Sequence, residues 1–139
     1  MSLFDAISIA ASSLEAQSIR LNTISSNLAN ANAVSSSEED TYRGQYAVFE
    51  AVYNEELDSA GTPAAGVRVS GIAQSELPAR REFLPAHPMA DEEGYIYRPA
   101  VNSVNEMVDM MEASRSYQDS VEAINTAKQL ILRTLTLGR

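Results

Sequence analysis

The stretch "SSNLANANAV", residues 25–34, decides how this chain is read. It places Asn27, Asn30 and Asn32 within six positions, with small alanines between them. The residues before it carry a helical period from Ser2 onward. Asparagine is a poor helix former, because its side chain competes for backbone hydrogen bonds. The phrase therefore predicts that a helix ends near residue 31. Two readings of the asparagines follow. In one they mark an ordinary helix end, where Asn tolerates the left-handed conformation, and spacing alone favours it. In the other their amides donate and accept across a packed helix contact. They would then fix register between subunits, as a buried Asn does in a coiled coil.

Upstream of the phrase, Ile7, Leu14, Leu21 and Leu28 sit seven apart. Phe4, Ala11, Ser18 and Ser25 fall three residues before each. That is an a/d heptad seam, and small residues at the a positions let a partner helix approach closely. Ser2 and Asp5 are spaced as a capping box, which starts the helix near residue 3.

The C-terminal third repeats the pattern. Met110, Tyr117, Ile124 and Ile131 are also seven apart, flanked by Met107, Ser114, Val121, Lys128 and Leu135. Ser103 and Glu106 are spaced as a second capping box. No Gly or Pro occurs between Ser103 and Leu137. A helix over that span would be ~52 Å long, at 1.5 Å per residue. Lys128 and Arg133 near its end suit the helix dipole, and Gly138 is a natural stop.

Residues 32–101 hold all five prolines and five of the six glycines. Strand-like runs occur at 42–53, at 66–73 and at 94–101, the last stopped by Pro99. Polar loops fill 35–40 and 54–66. The expected fold is α+β and mainly α. Long N- and C-terminal helices (1–31 and 102–139) pair as a coiled coil and form an inner domain. A small β-rich and irregular insert (32–101) lies between them.

Composition narrows the function. The formal net charge is −9, and Arg80-Arg81 is the largest basic cluster. Such an acidic chain argues against nucleic acid or an anionic membrane as partner. Without cysteine, disulfides, thiolate metal sites and Cys catalysis are excluded. The first residues lack a basic region and a long apolar run, so a cleavable signal peptide is not expected. No segment has the ~18 to 20 apolar residues of a membrane span.

The one histidine, His87, stands near Asp91, Glu92 and Glu93. A metal site could be drawn through these four. A solvated acidic turn between prolines and a glycine is the better reading, because four ligands on one short loop rarely close a tight site. No G-x-S-x-G elbow, phosphate loop or H-E-x-x-H occurs. The carboxylates at 106, 109, 112, 119 and 122 read as the solvated face of the long helix. No enzyme activity, cofactor, metal or small-molecule substrate is expected.

At ~100° per residue both helices are apolar on two sides. Ile9 and Ile19 point away from the first seam; Val108, Leu130 and Leu137 point away from the second. Leu130, Ile131, Leu132, Leu135 and Leu137 surround the final turns. One partner helix covers one side only, so a second partner is needed. The expected subunit-packing residues are Ile7, Leu14, Leu21, Leu28, Asn27, Asn30, Asn32, Met110, Tyr117, Ile124, Leu130, Ile131, Leu135 and Leu137. The expected function is a self-assembling structural subunit. The alternative is a coiled-coil adaptor or secreted protein that binds one partner helix.

These stretches resemble a known family. "SSNLANANAV" resembles the signature of bacterial flagellar axial proteins, which build the rod and hook. "FLPAHPMADEEGYIYRPAVN" (83–102) and "EMVDMMEASRSYQDSVEAINTAKQLILRTLTLG" (106–138) resemble the end of its proximal rod subunits. Two positions depart from the family pattern: Ala33 stands where Thr is usual, and Ala100 where Asn is usual. The resemblance implies that the terminal helices pair and pack with copies of the chain and other rod subunits into a hollow helical tube. It implies contact with the membrane ring and export apparatus at the rod base. It also implies a basal-body location reached by flagellar type III export, without a cleavable signal.

Overall fold

The computed structural model of the chain describes residues 3–53 and 65–137. The Ser2 cap, most of the 54–66 loop and the Gly138 stop lie outside them. The order is α1 (Leu3–Asn30), β1 (Gln45–Tyr53), β2 (Ala65–Gln74), β3 (Arg80–Phe83), β4 (Tyr95–Arg98) and α2 (Ser103–Leu137). Two long helices thus enclose a small β-rich insert, as the periodicities predict. Strand β3 was not expected. Its four residues are all exposed, so no alternation marks it. It exists because β4 pairs with it, antiparallel, from Arg80↔Arg98 to Phe83↔Tyr95.

Strands β1 and β2 form a second two-stranded sheet. Ser35 adds a bridge to β4, exchanging both backbone hydrogen bonds with Tyr97 at 2.9 and 3.0 Å.

The helix starts and stops differ from expectation in two ways. Asn102, not Ser103, caps α2: its Oδ1 accepts from the Val104 and Asn105 amides at 3.0 and 3.4 Å. Those are the N2 and N3 donors that a cap residue satisfies. Glu106 is therefore released from the expected capping box. At the end of α1, Asn30 donates to the Ser26 carbonyl of its own helix at 2.8 Å. No non-glycine residue among those described has a positive φ, so the asparagines do not terminate α1 through the left-handed conformation.

The chain divides into two compact units. The first comprises Met1–Leu21, Ala47–Gly71 and Glu112–Arg139. Its buried hydrophobic residues are alanines: Ala10, Ala16, Ala113 and Ala127. Here α1 and α2 meet through hydroxyls, Ser120 Oγ donating to Ser13 Oγ at 3.1 Å. Ser12 Oγ accepts the Val67 amide at 3.2 Å, and a Cβ on Gly66 would stand 3.2 Å from that same oxygen. Glycine is what lets β2 approach α1 so closely.

The second unit comprises Asn22–Tyr46 and Ile72–Met111. Ile24, Ala31, Ile96, Pro99 and Val101 are buried in it, with Thr23, Asn27, Thr41 and Glu106. Arg80 straps the approach to α2, donating to the Pro99 and Val101 carbonyls at 3.3 and 3.4 Å.

The buried stripe of each helix is rotated from the expected one. In α1 the expected a-line is exposed, Phe4 at 73%, together with Ala11, Ser18 and Ser25. Residues three positions after Ile7, Leu21 and Leu28, namely Ala10, Ile24 and Ala31, are buried instead. In α2 the buried heptad line is Glu106, Ala113 and Ala127, one residue before the expected Met107, Ser114 and Lys128. Alanine fills four of these six buried positions, with Ile24 and Glu106 the exceptions.

Candidate functional site

The most densely bonded polar position of the second unit is Asn27, inside the phrase that opened the reading. Its side chain is completely buried. Nδ2 donates to the Gln45 carbonyl at 2.8 Å and to Glu106 Oε2 at 3.1 Å. Oδ1 accepts from the Gln45 amide at 2.7 Å and from the Tyr42 hydroxyl at 2.9 Å. All four hydrogen-bonding directions of one amide are thereby used. The amide of Asn27 pairs with the backbone of Gln45 as a strand neighbour would. It ties the end of α1, the start of β1 and the first turn of α2 into one junction.

Glu106 and Tyr46 complete the junction. The Tyr46 hydroxyl donates to Glu106, and its pKa is raised, first by burial and then by the negative charges of Glu106 and Asp109. Tyr42 OH also meets Ser26 Oγ at 3.0 Å. A buried carboxylate is costly unless its lone pairs are satisfied. Here the satisfying donors come from α1 and β1, so Glu106 is held only when the three segments are assembled.

A second polar cluster closes the β3–β4 hairpin. Asp91 Oδ1 accepts from the Glu93 and Tyr95 amides at 3.0 and 2.8 Å, and Oδ2 from the Tyr97 hydroxyl at 3.2 Å. These bonds hold the Asp91 carboxyl below its ordinary pKa, the Tyr95 amide contributing most. Burial raises the Tyr97 pKa, and its bond to Asp91 adds to the rise. Arg81 pairs with Glu93 at 3.3 Å and stacks 4.1 Å from the Tyr95 ring centre. His87 Nδ1 accepts the Met89 amide at 3.1 Å. Gly94, at φ 85°, makes the turn, and a Cβ there would stand 3.0 Å from Phe83. Of the four residues that a metal reading would join, Asp91, Glu93 and His87 thus each hold part of a turn, and Glu92 is the fourth. No set of three or more potential ligands converges among the described residues.

The expected packing residues fall into three groups. Asn27 is the buried hub. Ile7, Leu14, Leu21, Leu28, Asn30, Met110, Ile124 and Ile131 are half-buried. Asn32, Tyr117, Leu130 and Leu135 are exposed. The side chain of Leu137 lies outside the described residues. Counting heptads missed Tyr42, Gln45 and Glu106 as partners of Asn27, and Tyr46 as a partner of Glu106. One signal was available: Glu106 lies on the same seven-residue line as Ala113, Ser120 and Ala127, an odd place for a solvated acid.

Large apolar side chains remain exposed on both helices. On α2, Val104, Met107, Val108 and Met111 follow the i, i+3, i+4, i+7 pattern of one helix face, yet Val104 and Met111 are each 65% exposed. Leu130, Leu132 and Leu135 are exposed at the other end. On β1, Tyr46, Val48, Phe49, Val52 and Tyr53 are exposed as well. No helix among the described residues is long and apolar enough to cross a membrane. These faces fit a protein that buries its surface against other proteins.

Comparison with known proteins agrees at both ends of the chain. The family described as "Flagella basal body rod protein" matches residues 7–35, and the C-terminal family of flagellar basal body rod FlgEFG proteins matches residues 92–137. Several full-length relatives carry the name flagellar basal-body rod protein FlgC. That of Salmonella typhimurium is 43% identical over 140 residues, and that of Yersinia enterocolitica 44% over 139. The protein of Bacillus subtilis is 30% identical over 150. Each alignment covers 100% of both chains. The chain belongs to the flagellar basal-body rod protein family, whose members named here are structural proteins of the bacterial flagellum.

Proposed function

We propose that this chain is a structural subunit of the flagellar rod whose terminal helices pair as a coiled coil and pack with further subunits into the wall of a hollow shaft. Copies of itself and other rod subunits are its neighbours, and the membrane ring and export apparatus lie at the base. The observation that carries this reading is the exposure of large apolar side chains on both long helices, Phe4 on α1 and Val104, Met107, Met111, Leu132 and Leu135 on α2. A chain folding alone would bury them, because each offers roughly 1.5 to 3 kcal/mol on burial. In this reading Asn27 does not bridge subunits. It sets where the chain leaves α1, so that both helices are presented together. Travel through the export apparatus requires an unfolded chain, and a first unit lined by alanines would unfold readily.

Imaging of basal bodies isolated from the source bacterium tests the proposal. The density of this subunit should show 3–30 and 103–137 as paired helices against neighbouring subunits. Helices facing only solvent, or a subunit absent from the rod, would refute it.

A further inference from the structure

We propose that α2 has two alternative starts, and that Glu106 switches between them as the second unit folds. With the junction open, Ser103 caps the helix and Glu106 completes the cap. With the junction closed, Asn102 takes over as cap and Glu106 passes to Asn27 and Tyr46. The inference goes beyond the rod-subunit reading, because it concerns a conformational step within the single chain.

Two caps stand side by side in the sequence. Asn102 and Ser103 are both favoured N-cap residues, and Glu106 stands three positions after Ser103, as a capping box requires. In a box the Ser103 hydroxyl accepts the Glu106 amide, and the Glu106 carboxylate accepts the Ser103 amide. The folded chain employs Glu106 otherwise. Its amide donates to the Asn102 carbonyl at 3.0 Å, and Asn102 Oδ1 takes the Val104 and Asn105 amides. Its buried carboxylate accepts from Asn27 Nδ2 at 3.1 Å and from the Tyr46 hydroxyl. Arg80 holds the approach in this register through the Pro99 and Val101 carbonyls. Glu106 cannot serve both arrangements at once.

Separation along the chain sets the order of events. The box needs only the first turn of α2. The bond between Asn27 and Glu106 spans 79 residues, and closing a longer loop costs more entropy. The local pair therefore forms first and the distant one displaces it. Starting a helix is the costly step of its formation, so a cap available before the junction closes favours α2 early. When the junction draws Glu106 away, Asn102 supplies the replacement, and α2 keeps an acceptor at its first turn throughout. With the box alone, the chain would have to uncap α2 in order to bury Glu106.

Rates measured on the isolated full chain by stopped-flow tyrosine fluorescence test the switch. The Ser103 hydroxyl is bonded while the junction is open and released when it closes. Ser103→Ala should therefore slow unfolding about fivefold, the rate equivalent of a typical cap, without lowering the urea midpoint. Ser103→Thr, which keeps the hydroxyl, should unfold at the wild-type rate. Asn102→Ala removes the cap of the folded state, and it should speed unfolding and lower the midpoint. Amide exchange in Asn27→Ala/Tyr46→Phe, which takes both donors from Glu106, gives a second readout. There the Ser103 amide should exchange several-fold more slowly than in the wild type, as Glu106 returns to it. Unchanged or faster unfolding of Ser103→Ala would overturn the proposal, as would an unchanged midpoint for Asn102→Ala. So would equal or faster exchange at Ser103 in the folded double variant. Should the double variant fail to fold, the rates of the three single variants decide.

Discussion

The two units of the chain are held together by different physics. The first buries alanines and joins its helices through the Ser13 and Ser120 hydroxyls. The second buries Ile24, Ile96, Pro99 and Val101 around an amide–carboxylate junction. Alanine burial releases little hydrophobic free energy, because it scales with apolar area. The first unit therefore gains less from hydrophobic burial than the second. The second is built for a unique conformation, since a polar junction satisfied by three separate segments tolerates one arrangement.

Substitution at Asn27 should do the most damage. Asn27→Leu removes one of the donors to the Glu106 carboxylate and leaves both Gln45 backbone groups without their side-chain partner. Leaving buried hydrogen-bonding groups unsatisfied costs roughly 1–3 kcal/mol each, more for a charged group. Urea unfolding followed by tyrosine fluorescence should show a loss of that size, and assembly should fail. A loss below about 1 kcal/mol would mean that the apolar side chains alone hold the second unit.

A matched pair of truncations sharpens the contrast. Ile96 is fully buried in the second unit, so Ile96→Ala should cost about 2–5 kcal/mol in the isolated chain. Leu14 is half-buried in the first, and Leu14→Ala should cost about 1 kcal/mol or less. Equal losses would erase the distinction between the units. Amide exchange on the isolated chain makes the same comparison without mutation. Protection should be at least about tenfold higher at 22–30 and 95–108 than at 3–21 and 112–137. Uniform protection along either helix would contradict it.

The smallest effect belongs to the β3–β4 turn. The folded state lowers the Asp91 pKa, so its contribution to stability is present above the unfolded value and is lost as pH falls through the folded one. Exchange at the Tyr95 and Tyr97 amides should quicken as the solution is acidified below about pH 4. In Asp91→Asn that acid dependence should vanish, and the hairpin should be modestly looser at neutral pH. An unchanged acid response in the variant would assign it to another carboxylate. Assembly should survive this substitution, which places the turn outside the junction that Asn27 organises.

Much of the molecule was legible in residue order. The extent of α2, Ser103–Leu137, follows from the absence of Gly and Pro over that span. The end of α1 at Asn30 follows from the asparagine phrase, and two of the three strand-like runs match β1 and β2 closely. These are local properties, set by backbone propensity within a few residues. Tertiary structure decided which side of each helix is buried, which residue caps α2, and that β3 is a strand at all. It also decided what Asn27 does. Its partner Glu106 lies 79 residues away, and each residue alone reads as a helix end and a helix-start acid. Period tells which residues share a face, but only the folded chain brings a donor to a carboxylate and removes both from water.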